Sequence, residues 1–258
     1  MLSKRIIPCL DVKNGLVVKR FQFKNYKIIG NILSLSNRYI KEGADELFFY
    51  DISSSIKNTL VNKNWISMVS EIINIPFCVG GGIKNFQDAK KVLCYGADKV
   101  SINSYAIKNP YLISEIAEKF GVQSVVVGID SFYCPKEKKY FVNKYIRDKN
   151  FIKKTDLETC FWVEKVQKLG AGEIVLNSID QYGMKNGYDL KQLCEIRNIC
   201  KVPLIASGGA GNINHFYDVF KFSNVDGSLA SSVFHEKIIY IPYLKKILFS
   251  KNIEIRKC

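Results

Sequence analysis

Residues 75–89 read IPFCVGGGIKNFQDA and residues 202–216 read VPLIASGGAGNINHF, two stretches of matching pattern 127 residues apart (202 minus 75). Each is a short apolar run, a glycine cluster and a polar stretch with helical spacing, the form of a buried strand that ends in a tight turn and leads into a helix. The same offset lays EGADELFFYDIS, from Glu42, on LGAGEIVLNSID, from Leu169. CLDV, residues 9–12, and GIDS, residues 128–131, each set an aspartate at the end of a strand-like run. A shift of about half of 258 residues points to two matching halves, roughly 1–122 and 123–250.

Outward from these stretches, short β-branched or apolar runs alternate with longer segments of helical period, as in a parallel sheet with crossover helices. Strands are expected at 5–10, 46–50, 76–79, 99–102, 124–128, 173–176, 203–206 and 227–230, and residues 109–120 place Leu112, Ile113, Ile116 and Ala117 at helical spacing. Eight such units with a halfway repeat predict one α/β domain, a single (β/α)8 TIM barrel with a two-fold internal half-barrel repeat. A doubly wound open sheet is the alternative, and nothing in that fold requires the repeat.

Composition narrows the function. A hydrophobic content of 47% supplies one large core, and the formal charge of +14 raises the question of nucleic acid. The lysines are dispersed, however, and the densest runs, at 136–139 and at Lys153-Lys154, lie among turn and polar residues without an RNA-binding or zinc-finger motif. A basic surface that attracts an anionic small molecule or an acidic partner is the reading, not a nucleic-acid binder. The eight cysteines, at 9, 78, 94, 134, 160, 194, 200 and 258, form no C-x-x-C pair, and several stand in apolar runs. They are expected to be reduced core thiols of a cytoplasmic protein. The N-terminal apolar stretch is too short for a signal peptide, and no segment approaches the roughly 18 apolar residues of a membrane span. His215 and His235 are the only histidines, and no cluster has metal-ligand spacing, so neither a metal nor another cofactor is expected.

In a parallel barrel the C-terminal strand ends face the active site. Gly80-Gly81-Gly82 and Gly208-Gly209 with Gly211 follow equivalent strands, where small residues let backbone N–H groups surround an anion. The next strand of each half ends in polar side chains, Ser101, Asn103 and Ser104 in one and Ser231 and Ser232 in the other. Two phosphate grips on opposite sides of the mouth are the expectation; a tight turn explains a lone glycine cluster equally well. Asp11 and Asp130 end strands one and five and face each other across the barrel, a general acid and base if their surroundings separate their pKa values, or caps of the following loops. Lys19, in the loop after strand one, is a candidate phosphate contact or a solvated lysine. Arg5, Glu46, Lys99 and Glu173 stand near strand beginnings, where they make either a structural salt-bridge layer or a functional pore.

Together KRIIPCLDVKNGLVVK, EGADELFFYDIS, VGGGIKNFQDA, GADKVSINS, LGAGEIVLNSID, NGYDL, VPLIASGGAGN and SSVFH resemble the cyclase subunit of imidazole glycerol phosphate synthase, over essentially the whole chain. The resemblance implies a lyase of histidine biosynthesis that forms a heterodimer with a glutaminase. It takes ammonia from that partner to convert a bisphosphate, the phosphoribulosyl-formimino aminoimidazole carboxamide ribonucleotide, into imidazole glycerol phosphate and aminoimidazole carboxamide ribonucleotide. It implies that Asp11 and Asp130 are catalytic, that Lys19 binds substrate, and that Arg5, Glu46, Lys99 and Glu173 form an ammonia gate. The sibling isomerase of the pathway and a barrel kept only as a glutaminase partner are the rivals. Three changes, at four positions, depart from the family pattern: Tyr182 replaces an aspartate, Arg20 a glycine, and Ile146-Arg147 a small pair.

Overall fold

The computed structural model describes residues 3–21, 25–57, 59–146 and 151–256. Eight parallel strands form the barrel: β1 (Arg5–Lys13), β4 (Leu47–Asp51), β5 (Phe77–Gly80), β6 (Lys99–Ile102), β7 (Val125–Cys134), β10 (Glu173–Ser178), β11 (Leu204–Ser207) and β12 (Gly227–Ala230). They pair in the order β10, β11, β12, β1, β4, β5, β6, β7, and the parallel pairing of β7 with β10 closes the ring. Closure excludes the open-sheet alternative. All eight strands fall where expected, shifted by a residue or extended at the ends.

Register shows how the ring closes. From Asp11 the paired residues run Tyr50, Gly80, Ser101 and then Val126, four positions short of Asp130 on β7. From Asp130 they run Asn177, Ser207, Leu229 and then Ile7, four positions short of Asp11. Each half contributes the same stagger, and the two add to the shear of eight typical of this barrel. The halfway repeat in the sequence is therefore expressed as equal halves of the barrel's tilt.

Alternation along each strand sorts side chains into two cores. Ile6, Leu10 and Val12 of β1, Leu47 and Phe49 of β4, and Ile174 and Leu176 of β10 face outward and pack under the helices. In the helix Tyr111–Phe120 the buried residues are Leu112, Ile113 and Ile116, the expected face. The inward residues Ile7, Cys9, Phe48, Cys78, Val126, Val175, Ile205 and Leu229 form a separate apolar plug inside the ring.

Two hairpins rise from the mouth and were not foreseen. β2 (Leu16–Phe21) and β3 (Asn25–Asn31) extend β1, and β8 (Lys139–Ile146) and β9 (Phe151–Glu158) extend β7, all antiparallel. They correct two expectations. Lys19 lies in strand β2 and not in a loop, and Lys153-Lys154 lie in strand β9 and not among turns. The cysteine reading is also corrected in part. Cys9, Cys78 and Cys200 are buried and all seven described cysteines are free, but Cys134, Cys160 and Cys194 are half-buried and Cys94 is exposed; Cys258 lies outside the described residues. No helix among the described residues is long and apolar enough to cross a membrane.

The last helix, Ile241–Ser250, is tied to the barrel's base by a buried ion pair. Lys245 Nζ donates to Asp45 Oδ1 at 2.7 Å, and Asp45 Oδ2 accepts from the Ile6 amide at 2.8 Å. Removing the lysine strands a buried carboxylate, so Lys245→Met should cost about 3 kcal/mol of unfolding free energy. Equilibrium urea denaturation measures this, and a loss below about 1 kcal/mol contradicts the assignment.

Candidate active site

The barrel interior has three levels, set by inward positions on successive pleats. At the base, Arg5, Glu46, Lys99 and Glu173 close into a ring. Arg5 reaches Glu46 at 2.5 Å and Glu173 at 2.9 Å, and Lys99 reaches Glu46 at 2.7 Å and Glu173 at 3.2 Å. Glu46 is 1% exposed and Glu173 4%, so each carboxylate depends on its cations. Burial, then the neighbouring Glu173, raises the Glu46 pKa, against the pull of Lys99 and Arg5. For Lys99, burial pulls the pKa down, but Glu173 and Glu46 outweigh it and the ammonium is held above its ordinary value. Ring and plug together separate the base of the barrel from its mouth.

Above the plug the interior turns polar. Asp130 is inward on β7, and its carboxylate is framed on both sides: Asn103 Nδ2 donates to Oδ2 at 2.9 Å and Asn177 Nδ2 donates to Oδ1 at 2.8 Å. Ser207 Oγ in turn donates to Asn177 Oδ1 at 3.2 Å. Burial raises the Asp130 pKa, and the Asn177 and Asn103 hydrogen bonds oppose that rise without cancelling it. Asp11 stands four strands away in either direction around the ring, opposite Asp130. Tyr50, the inward neighbour of Asp11 on β4, is half-buried and bonds Ser101 Oγ at 3.4 Å; desolvation of the phenol holds it neutral, well above its ordinary pKa.

The glycine turns sit at the rim. Gly81 and Gly82 follow β5 with φ of 114° and 68°, and Gly208 and Gly209 follow β11 with φ of 93° and 104°. A Cβ at Gly81 would collide with the carbonyl oxygen of Asp51, and one at Gly209 with that of Gly187. Left-handed backbone and lack of space therefore both require glycine. Beside each turn a short helix begins, Ser104–Lys108 after β6 and Ser232–His235 after β12, which aligns Ser104 with one turn and Ser231 and Ser232 with the other.

The expected site residues thus gather at two levels, with differences of detail. Ser101 lies within β6, only 5% exposed and engaged with Tyr50, deeper than the rim. Asn103 spends its amide on Asp130, while its buried Oδ1 has no hydrogen-bond partner among the described residues. Lys19 forms an ion pair with Glu236, which also takes Lys185 at 2.8 Å. Sequence reasoning missed Asn177, Ser207, Lys185 and Glu236. For Asn177 a signal existed, since the 127-residue shift places it on Tyr50, an inward mouth position. Tyr182 is 58% exposed on the loop after β10. Arg147 lies outside the described residues, as do the side chains of Arg20 and Ile146. Among the described residues no group of three His, Cys, Asp or Glu side chains could hold a metal ion.

A closed barrel with this layered interior defines the class, and residues 5–240 match the model of the family described as Histidine biosynthesis protein. The chain is 62% identical to the imidazole glycerol phosphate synthase subunit HisF of Buchnera aphidicola subsp. Baizongia pistaciae (strain Bp), and 62% identical to that of Buchnera aphidicola subsp. Schizaphis graminum (strain Sg). It is 57% identical to that of Escherichia coli O17:K52:H18 (strain UMN026 / ExPEC); each match covers 100% of both chains. The chain belongs to the HisF family of imidazole glycerol phosphate synthase subunits.

The framing of Asp130 carries a prediction. Because its folded pKa is raised, the folded state holds this proton more tightly than the unfolded chain, so its contribution to stability grows as pH falls from neutral through the raised value. Asn177→Leu removes a donor that favours the carboxylate and should raise that pKa further. Carbon-13 NMR titration of the Asp130 carboxyl reads it directly; an unchanged or lowered pKa would count against the two-amide frame.

Proposed function

We propose that this chain is the cyclase subunit that receives ammonia at the base of its barrel and uses it at the mouth on a substrate with a phosphate at each end. The observation that carries the reading is the placement of two glycine turns at equivalent points of the two half-barrels, with Asp11 and Asp130 facing each other between them. A single phosphate needs one grip. Two related by the barrel's own symmetry fit an elongated molecule with like ends, as the family's bisphosphate has.

In this reading the backbone amides after Gly81 and Gly82, with Ser104, hold one phosphate, and those after Gly208 and Gly209, with Ser231 and Ser232, hold the other. Lys19 supplies a cation at the rim. Ammonia enters from a glutaminase bound at the base, passes the ring of Arg5, Glu46, Lys99 and Glu173, and crosses the plug. Because the plug is apolar, neutral ammonia passes without being protonated or diluted by solvent. At the mouth its nitrogen attacks the keto carbon of the phosphoribulosyl arm, and the keto oxygen leaves as water to give an imine. That nitrogen then bonds the formimino carbon to close the ring, the carbon's bond to the carboxamide ribonucleotide nitrogen breaks, and the leaving amine takes a proton, so protons must be removed and delivered on opposite faces of the substrate.

Asp11 and Asp130 are placed for those transfers. The raised pKa of Asp130 brings it nearer to working pH, which favours proton exchange over a permanently ionised role. The partner-free Oδ1 of Asn103 offers an acceptor to a substrate N–H beside that carboxyl. Tyr182 cannot replace a carboxylate as an anion at neutral pH, but it is exposed on the loop after β10, and both glycine turns and the Asp11 and Asp130 pair are intact, so catalysis is retained.

An ammonia-dependent assay of the isolated chain tests the reading, with glutamine and a glutaminase subunit as the second arm. Turnover of the bisphosphate is expected with ammonia alone, and Asp11→Asn and Asp130→Asn should each lower kcat by about 10²-fold or more, the usual worth of a positioned proton-transfer group. Turnover that survives both substitutions would remove the aspartates from the chemistry. Isomerisation without ammonia would favour the sibling enzyme, and stimulation of glutaminase without turnover would leave only a partner role.

A further inference from the structure

Glu236 gathers three parts of the mouth into one side chain. It follows the short helix Ser232–His235, its Oε1 pairs with Lys19 of β2, and its Oε2 takes Lys185 Nζ from the loop after β10 at 2.8 Å. The support beneath it is firm. The Glu236 amide donates to Ser232 O at 2.9 Å, and the buried His235 has Nδ1 2.5 Å from the Tyr39 hydroxyl. Hydrogen bonds from Lys185 and Lys19 hold the Glu236 carboxyl down to about 2, so it is ionised at any ordinary pH.

Its position relative to the second glycine turn matters. Ser231 and Ser232 open the helix that Glu236 follows, so that Glu236 stands four residues, about one helical turn of backbone, on from Ser232. The loop bearing Lys185 packs on the same turn: the Gly187 amide donates to Gly209 O at 2.8 Å, and a Cβ at Gly211 would collide with the Lys185 carbonyl. A fixed anion with two ammonium groups on it is therefore joined, through this helix and the Lys185 loop, to the two elements that frame the seat proposed for a phosphate.

We infer that Glu236 is a positioning residue that exchanges Lys19 with the substrate: its carboxylate occupies Lys19 while the second grip is empty, and yields it to the phosphate that fills the grip. The inference rests on the reading of that grip as a phosphate site. A carboxylate and a phosphate offer an ammonium the same kind of charged oxygen, and the phosphate brings more charge. All three side chains are partly exposed, at 18% for Lys19, 30% for Glu236 and 39% for Lys185, so the resident pairs are weak enough to be traded. The pairing ties Lys19 of β2 to the rim before substrate arrives, at the cost of competing with it.

Glu236→Gln tests this, with inorganic phosphate as the calorimetric probe and the bisphosphate's KM as the kinetic one. Of the phosphate-binding events, the one at the second grip should tighten about threefold to fivefold, the equivalent of one partly exposed ion pair, and KM should fall in parallel. In a Lys19→Met background the same substitution should produce no gain. Unchanged or weaker binding overturns the exchange, and so does an equal gain without Lys19, which would mean that Glu236 acts only through its field. Phosphate binding without any tightening defeats this inference alone. Absence of phosphate binding to either protein defeats the proposed function with it.

Discussion

Everything functional in this molecule depends on one geometric constraint, the closure of eight parallel strands with a stagger of eight residues. The β7 and β10 pairing sets Glu173 against Val126 and Asn177 against Asp130, and so fixes which side chains of both strands point inward. A slip of one residue would send every inward group to the helical side. The same pairing brings Asn177 to Asp130 and Glu173 into line with the basal cations. Closure is thus the condition for the charged ring, the plug and the framed carboxyl alike.

The interior divides its chemistry by height. At the base, opposite charges pair because two carboxylates that are almost fully buried cannot remain ionised without cations. In the middle, apolar side chains exclude water. Near the mouth, polar groups pair with one another: two amides frame the Asp130 carboxyl and partly offset the rise in its pKa from burial, and the neutral Tyr50 phenol bonds Ser101. A small neutral molecule suits the lower two levels and a large anion suits the rim. That division is the physical argument for joining an ammonia supply at one end to a bisphosphate at the other.

Much of this was legible in the sequence, for identifiable reasons. Strands such as 99–102 and 227–230 were placed without error because their short runs, KVSI and GSLA, are bounded by turn and polar residues on both sides. The glycine turns were found because the repeat made them stand out, and their positive φ values explain why glycine is needed there. The hairpins were hidden. KNGLVVKRF and KKYFVNKYI each hold a short apolar run, LVV and YFV, without strict alternation, and the flanking lysines, arginine and asparagines gave them the composition of loops. The four-membered ionic ring was visible as charges near strand beginnings, whereas its geometry required the register. Glu236 could not have been found at all, because its partners are 217 and 51 residues away and no periodicity links them.

The central claim is that one elongated anion spans the mouth from the first glycine turn to the second, across Asp11 and Asp130. A crystal structure of the chain with the bisphosphate bound tests it most directly. The account predicts one phosphate on the amides of Gly82 and Ser104, the other on those of Gly209 and Ser232, and the reacting carbon between the two carboxyl groups. A substrate held at one turn only, or with its reacting carbon remote from both aspartates, would contradict it.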